Sequence, residues 1–154
     1  MGSEAKGIKA IFLDIDGVMN SAYGKGPFEA DMEIGKLALL KKLIDLSGAS
    51  GIVLISDRRY SPSYMKEFLP VLEAHKIPYL SKTRNPKKPK EGFDNRGLQI
   101  RDFLYEHEEI EGMVILDDID DGISGLFPKE FIKVDRYVGL DEGVYQKALK
   151  TLGR

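Results

Sequence analysis

The chain has 154 residues, of which 42% are hydrophobic and 31% charged, with a formal net charge of -2 and no cysteine. That balance describes one globular domain with a buried core and excludes a disordered chain. Near-neutral charge gives no global attraction to nucleic acid or membrane, so such partners would have to be met by a local patch, and the lack of cysteine excludes disulfides and thiolate zinc sites. No apolar run approaches the ~20 residues that span a bilayer, and the opening "MGSEAKGIKA" lacks the apolar centre of a signal peptide. The expectation is a cytoplasmic protein with no membrane partner, one domain over residues 1–154, and residues 1–7 either disordered or left over from expression.

In chain order, "IKAIFLDI" (residues 8–15) is a continuous apolar run ending in acid, the pattern of a strand buried on both faces. Residues 31–46, "DMEIGKLALLKKLIDL", place Ile34, Leu37, Leu40, Leu43 and Ile44 along one helical side, and "SGASG" supplies the stop. "GIVLIS" (51–56) predicts a second buried strand. Residues 61–75 begin as a helix should, with Ser61 as cap and Pro62 in the first turn, but Pro70 predicts a kink or break. "IPYL" (77–80) predicts a third strand, and a helix follows through "RGLQIRDFLYEHEE", capped by Asn95 or Asp94. Strands at 112–118 and 131–134 and a closing helix at 141–152 complete the chain. Short strands separated by helices of this length require crossovers, hence a three-layer α/β fold: a mostly parallel five-stranded sheet with helices on both faces.

In such sheets ligands bind beyond the carboxyl ends of the strands, near the point where strand order reverses. Three predicted strands end there in chemistry: Asp14 and Asp16 after the first, Ser56 and Asp57 after the second, Asp117 and Asp118 after the fourth. Carboxylates crowded at one edge repel one another unless a cation holds them, and hard oxygen ligands suit Mg2+, which leaves positions for water and phosphate. Gly17 leaves the backbone room to approach phosphate.

These residues carry a resemblance. "DIDGV" after an apolar strand resembles the first motif of the haloacid dehalogenase (HAD) superfamily of phosphohydrolases, "IVLIS" its second and "VILDD" its acidic fourth. More narrowly, "FLDIDGVMN", "IVLISDRRY", "RGLQIRDFL", "VILDDIDD" and "GLDEGVYQKAL" resemble small HAD domains found as phosphatase modules in some RNA-repair proteins and in phage and bacterial hydrolases. The resemblance implies a Rossmann-like HAD fold and Mg2+-dependent hydrolysis of phosphomonoesters. Asp14 would be the nucleophile, forming an aspartyl phosphate, and Asp16 the general acid and base. Ser56 would bind a phosphoryl oxygen. Asp14, the Asp16 carbonyl, Asp117 and Asp118 would hold the metal, with Asp121 as an outer candidate. Arg96 is the best match to the cation that stabilises the phosphoryl charge, with Lys82 its competitor, and Asp57 and Arg59 are further candidates for contacting substrate.

Two features depart from the pattern. Related domains often show two serines, a variable residue and then Trp-Arg, whereas "ISDRRY" has Ile55 for one serine and Arg58 for the Trp, with Arg59 matching the Arg. A domain that keeps the fold but binds without turnover is therefore the alternative reading, and a receiver-like signalling domain with an acidic pocket is a third. The gaps at residues 17–30 and 81–95 are also too short for a cap domain, which suits an open site and a large phosphorylated substrate such as a nucleic-acid end. Lys82, Arg84, Lys87, Lys88 and Lys90 make the loop 82–90 a candidate contact for phosphate backbone, with Phe93 as the one aromatic in the wider segment 81–95.

Overall fold

A computed structural model describes residues 7–84 and 95–153. The expectation for the N-terminal tail therefore falls, apart from Gly7, outside the described residues, as do Lys87, Lys88, Lys90 and Phe93 of the basic loop. The strands are β1 (Ile8–Leu13), β2 (Phe28–Glu29), β3 (Met32–Glu33), β4 (Gly51–Leu54), β5 (Tyr79–Lys82), β6 (Ile110–Asp117) and β7 (Phe131–Lys133). The helices are α1 (Ile34–Ser47), α2 (Pro62–Ala74), α3 (Arg96–Glu106) and α4 (Glu142–Leu152), with a 3-10 turn at Asp57–Tyr60.

The main sheet is parallel throughout, in the order β5-β4-β1-β6-β7. Alternation along β1 separates two cores. Ile11 and Leu13 join α1, α2 and α4 in one, while Ala10 and Phe12 meet Ile100 and Phe103 of α3 in the other. Helices thus cover both faces, as the crossovers require, and among the described residues no cap domain is present. The strand order also settles the receiver-like reading against itself. Receivers place the first strand one position from the edge, whereas here β1 is central, the order of Rossmann sheets. The chain leaves β1 toward β4 and β5, then crosses to β6 on the other side, so the order reverses between β1 and β6.

Local departures from expectation have local causes. Residues 31–33 leave the predicted first helix to build a hairpin of β2 and β3, whose turn residues Ala30 and Asp31 both take positive φ, 48° and 60°. The expected break at Pro70 does not occur. Pro70 lies on the exposed side of α2, where the carbonyl it leaves unpaired can meet water. Strand β5 starts two residues later than predicted because Lys76, at φ 59°, turns the chain after α2. Two caps sit where the sequence put them, Ser61 accepting from the Tyr64 N–H and Asn95 from Leu98, and Asp141 caps α4 by accepting from Val144. No helix among the described residues is long and apolar enough to cross a membrane.

Candidate active site

The reversal point between β1 and β6 brings together Asp14, just past β1, with Asp117 at the end of β6 and Asp118 after it. One carboxylate oxygen from each lies within 4.8 Å of the others. Asp14 is 3% exposed and Asp117 fully buried. Burial first, and then its neighbour Asp117, push the Asp14 carboxyl well above the ordinary carboxylate range, against the pull of Arg96. Burial raises Asp117 as well. An oxygen-only set of converging carboxylates that cannot all ionise unaided is the donor chemistry of a hard divalent cation.

Arg96 opens α3 and aims its guanidinium at this cluster, with Nη1 2.7 Å from Asp117 Oδ2 and 3.5 Å from Asp14 Oδ2. Burial alone would weaken its charge, but Asp14 and Asp117 hold its proton firmly. Two contacts fix its position. Asp121 accepts from the Arg96 N–H through its carboxylate and from the Gly97 N–H through its carbonyl. Asp121 therefore anchors α3 and stands outside the carboxylate cluster. Lys82 instead donates to the Arg59 carbonyl at 3.3 Å. Of the two competing cations, Arg96 is the one whose charged end is among the carboxylates.

Gly17 turns the chain out of the site at φ 86°, and the Asp118 carboxylate packs where a Cβ would stand. The close approach that requires glycine is thus to a candidate metal ligand. Ser56 is buried and caps the 3-10 turn by accepting from the Arg58 N–H at 3.2 Å. Asp57 is exposed at the mouth, 3.7 Å from Arg96 Nη2.

Asp16 lies apart from the cluster. Arg58 grips its carboxylate with two hydrogen bonds, and Asn20 donates a third at 3.3 Å. Arg58 first, helped by Asn20, holds Asp16 below the ordinary carboxylate range, although burial opposes them. The Asp16 side chain faces Arg58 and not the other carboxylates, which leaves its backbone carbonyl as the metal ligand expected from this residue. Arg59 departs further from expectation. It is 1% exposed, and its guanidinium donates to the carbonyls of Ile55, Ser56 and Thr83 and to Gln99 Oε1 and the Tyr60 hydroxyl. Those interior acceptors occupy the donors a substrate would need, so Arg59 braces the second motif against α3 and β5.

Sequence reasoning did not find Arg58 as the partner of Asp16, nor Asp31 as a second carboxylate on the same guanidinium; an Arg where the resemblance implied Trp was the signal. It also did not find Arg136, whose Nε is 3.7 Å from Asp118 Oδ2.

Residues 10–143 match the model of one protein family, described as the HAD domain in Swiss Army Knife RNA repair proteins. No curated protein matches the chain.

Proposed function

The chain belongs to this family of HAD domains in Swiss Army Knife RNA repair proteins, which supports a HAD-type hydrolase, and we propose that it is a Mg2+-dependent phosphomonoesterase acting on phosphorylated nucleic-acid ends. The observation that carries the reading is the position of Asp14, a buried carboxylate at the strand-order reversal, flanked by Asp117, Asp118 and the Arg96 guanidinium. Asp14, Asp117 and Asp118 would hold Mg2+, which supplies the positive charge that lets one anion approach another.

The residues then divide the work. An Asp14 oxygen attacks phosphorus as the bond to the leaving oxygen breaks, giving an aspartyl phosphate. Asp16, two residues on and with its side chain outside the carboxylate cluster, gives its proton to the leaving oxygen. It then takes one from the water that attacks the aspartyl phosphate, so that phosphate leaves and Asp14 is restored. Ser56 Oγ accepts from Arg58 N–H, which leaves its own hydroxyl proton to donate to a phosphoryl oxygen. Arg96 neutralises charge on the transferring group from the start of α3. The described residues leave the site uncapped, which suits a large substrate.

A second reading, a domain that binds such ends with little turnover, draws on one observation: both Asp16 oxygens are already held by Arg58. One experiment separates them. Phosphate release is measured from an aryl phosphate and from 3′- and 5′-phosphorylated oligonucleotides, with and without Mg2+, for the parent and Asp14→Asn. Mg2+-dependent release abolished by the substitution supports the hydrolase. Release that survives Asp14→Asn removes the nucleophile assignment, and binding without release favours the second reading.

A further inference from the structure

Beside the carboxylate cluster, two aromatic side chains face solvent. Tyr23, from the segment after the first motif, is 76% exposed, and Tyr137, from the loop after β7, is 50% exposed. Their rings stack with centroids 5.4 Å apart and planes 29° from parallel. The backbone builds this pair deliberately. The Ala22 N–H donates to the Arg136 carbonyl at 3.0 Å, joining the residues that immediately precede each tyrosine, so the two rings leave the surface side by side. Asp135 fixes the other side of the turn by accepting from the Tyr137 N–H at 2.9 Å.

Two large apolar faces left in water are costly to keep and mark a contact surface when they lie next to a site. Here they do. Arg136 reaches from the same turn to 3.7 Å from Asp118. A groove of about 410 Å3 lined by Asp118, Lys133, Val134, Asp135 and Arg136 joins the turn to Asp118 at the rim of the cluster. A flat π surface, a flanking guanidinium and a phosphate-handling cluster close together match the groups around the last sugar of a phosphorylated strand: its base, the phosphodiester to the next nucleotide and the terminal phosphate.

We propose that the Tyr23–Tyr137 pair is a stacking platform for the unpaired nucleobase next to the scissile phosphate, with Arg136 pairing the adjoining phosphodiester. The proposal rests on the phosphomonoesterase reading and names how that site selects its substrate: a single-stranded end, because a base paired within a duplex has neighbours on both faces and cannot lie on the rings. The bases differ little at such a platform, since each has a π face, so selection is for an unpaired end and not for sequence.

The test uses the full chain with Tyr23→Ala, Tyr137→Ala and, as the conservative controls, Tyr23→Phe and Tyr137→Phe. The first readout is the ratio of kcat/KM on a phosphorylated single-stranded oligonucleotide to that on glycerol phosphate, which has no ring to stack. Each alanine substitution is expected to lower this ratio about tenfold through KM, each phenylalanine to retain it, and an oligonucleotide with an abasic terminal position to lower it in the parent. Equal losses on both substrates would show that the tyrosines only brace the loop, and would overturn the proposal.

The second readout is binding of the same labelled oligonucleotide to Asp14→Asn by fluorescence anisotropy, with and without the tyrosine substitutions. This distinguishes the two failures. Weaker binding on loss of either ring, in a protein whose parent releases no phosphate, keeps the platform and removes the hydrolase. Unchanged binding overturns the platform whatever the parent hydrolyses.

Discussion

Arg58 holds Asp16 by both carboxylate oxygens, Nε to Oδ2 and Nη2 to Oδ1, each at 2.8 Å. The same guanidinium reaches Asp31 Oδ2 at 2.7 Å and lies 4.7 Å from the centre of the Tyr64 ring. One side chain thus ties the proposed acid and base to the hairpin of β2 and β3. Its chemistry cuts against proton donation, because a carboxyl whose pKa is lowered is protonated less of the time. Arg58→Met should raise the Asp16 pKa, so that turnover of a substrate with a poor leaving group persists to higher pH than in the parent, at reduced maximal rate. A pH–rate profile checks this, and one that does not move counts against Asp16 as the donor. The pair is exposed, so its share of stability is at most about 1 kcal/mol. That share is present above the ordinary carboxyl pKa of 3.8 and is lost as pH falls through the lowered one.

The buried carboxylates predict the opposite sign. Without a cation, folded Asp14 keeps its proton above the ordinary value of 3.8, so the folded state binds more protons than the unfolded one. Metal-free stability should therefore fall as pH rises above that value. Bound Mg2+ would relieve the repulsion, and the rise in Tm that it causes should be larger at about pH 8 than at about pH 6. Asp14→Asn should raise the metal-free Tm at the higher pH and shrink the Mg2+ effect. Thermal unfolding at both pH values with and without Mg2+ is the measurement.

Gly17 and Gly48 form a matched pair for the next prediction. Both have positive φ, 86° and 77°, but a Cβ at Gly17 would overlap the Asp118 carboxylate, whereas one at Gly48 would meet nothing within 4 Å. Each alanine substitution should cost about 1–3 kcal/mol of backbone strain. Only Gly17→Ala should also weaken Mg2+ binding, by displacing Asp118. Calorimetric titration of both variants separates strain from site damage, and equal Mg2+ affinities would break the link between Gly17 and Asp118.

Arg59→Met should destabilise the protein by about 3–5 kcal/mol, the range for losing one partner of a buried charged network. The substitution leaves interior carbonyls without their donors, and a Lys at this position cannot reproduce the planar fork. Denaturant unfolding is the check. A loss below about 1 kcal/mol would mean that the side chain spends its time at the surface, where a cation contributes little.

The layers of the fold are legible in the sequence because buried parallel strands are continuous apolar runs and their acidic ends are abrupt. Ile8 to Leu13 and Gly51 to Leu54 could hardly be read otherwise. The meeting of Asp14 with Asp117 and Asp118 follows from the sheet rule that puts strand ends at one edge. The hairpin was hidden because its turn is Ala30–Asp31, where positive φ usually calls for Asn or Gly. Tertiary contacts offset that strain: Tyr64 Oη donates to the Ala30 carbonyl and Asn20 Nδ2 to the Asp31 carbonyl, at 2.8 and 2.9 Å. Arg59 read as a substrate contact because burial of a charge leaves no trace in spacing. Tyr23 and Tyr137, far apart in the chain, form a surface only once β7 is in place.

The central position of β1 also bears on how the chain comes into being. Strand β4 covers one edge of β1, while β6, which covers the other and carries Asp117, is synthesised only after β4, β5 and α3. A nascent or truncated chain ending after α3 would present the open edge of an apolar strand, a template for pairing with other chains. It would also hold Asp14 with neither Asp117 nor Asp118 beside it. Assembly of the carboxylate cluster therefore coincides with closing the open edge of β1, and a chain lacking β6 carries the nucleophile Asp14 without the carboxylates that would hold its metal.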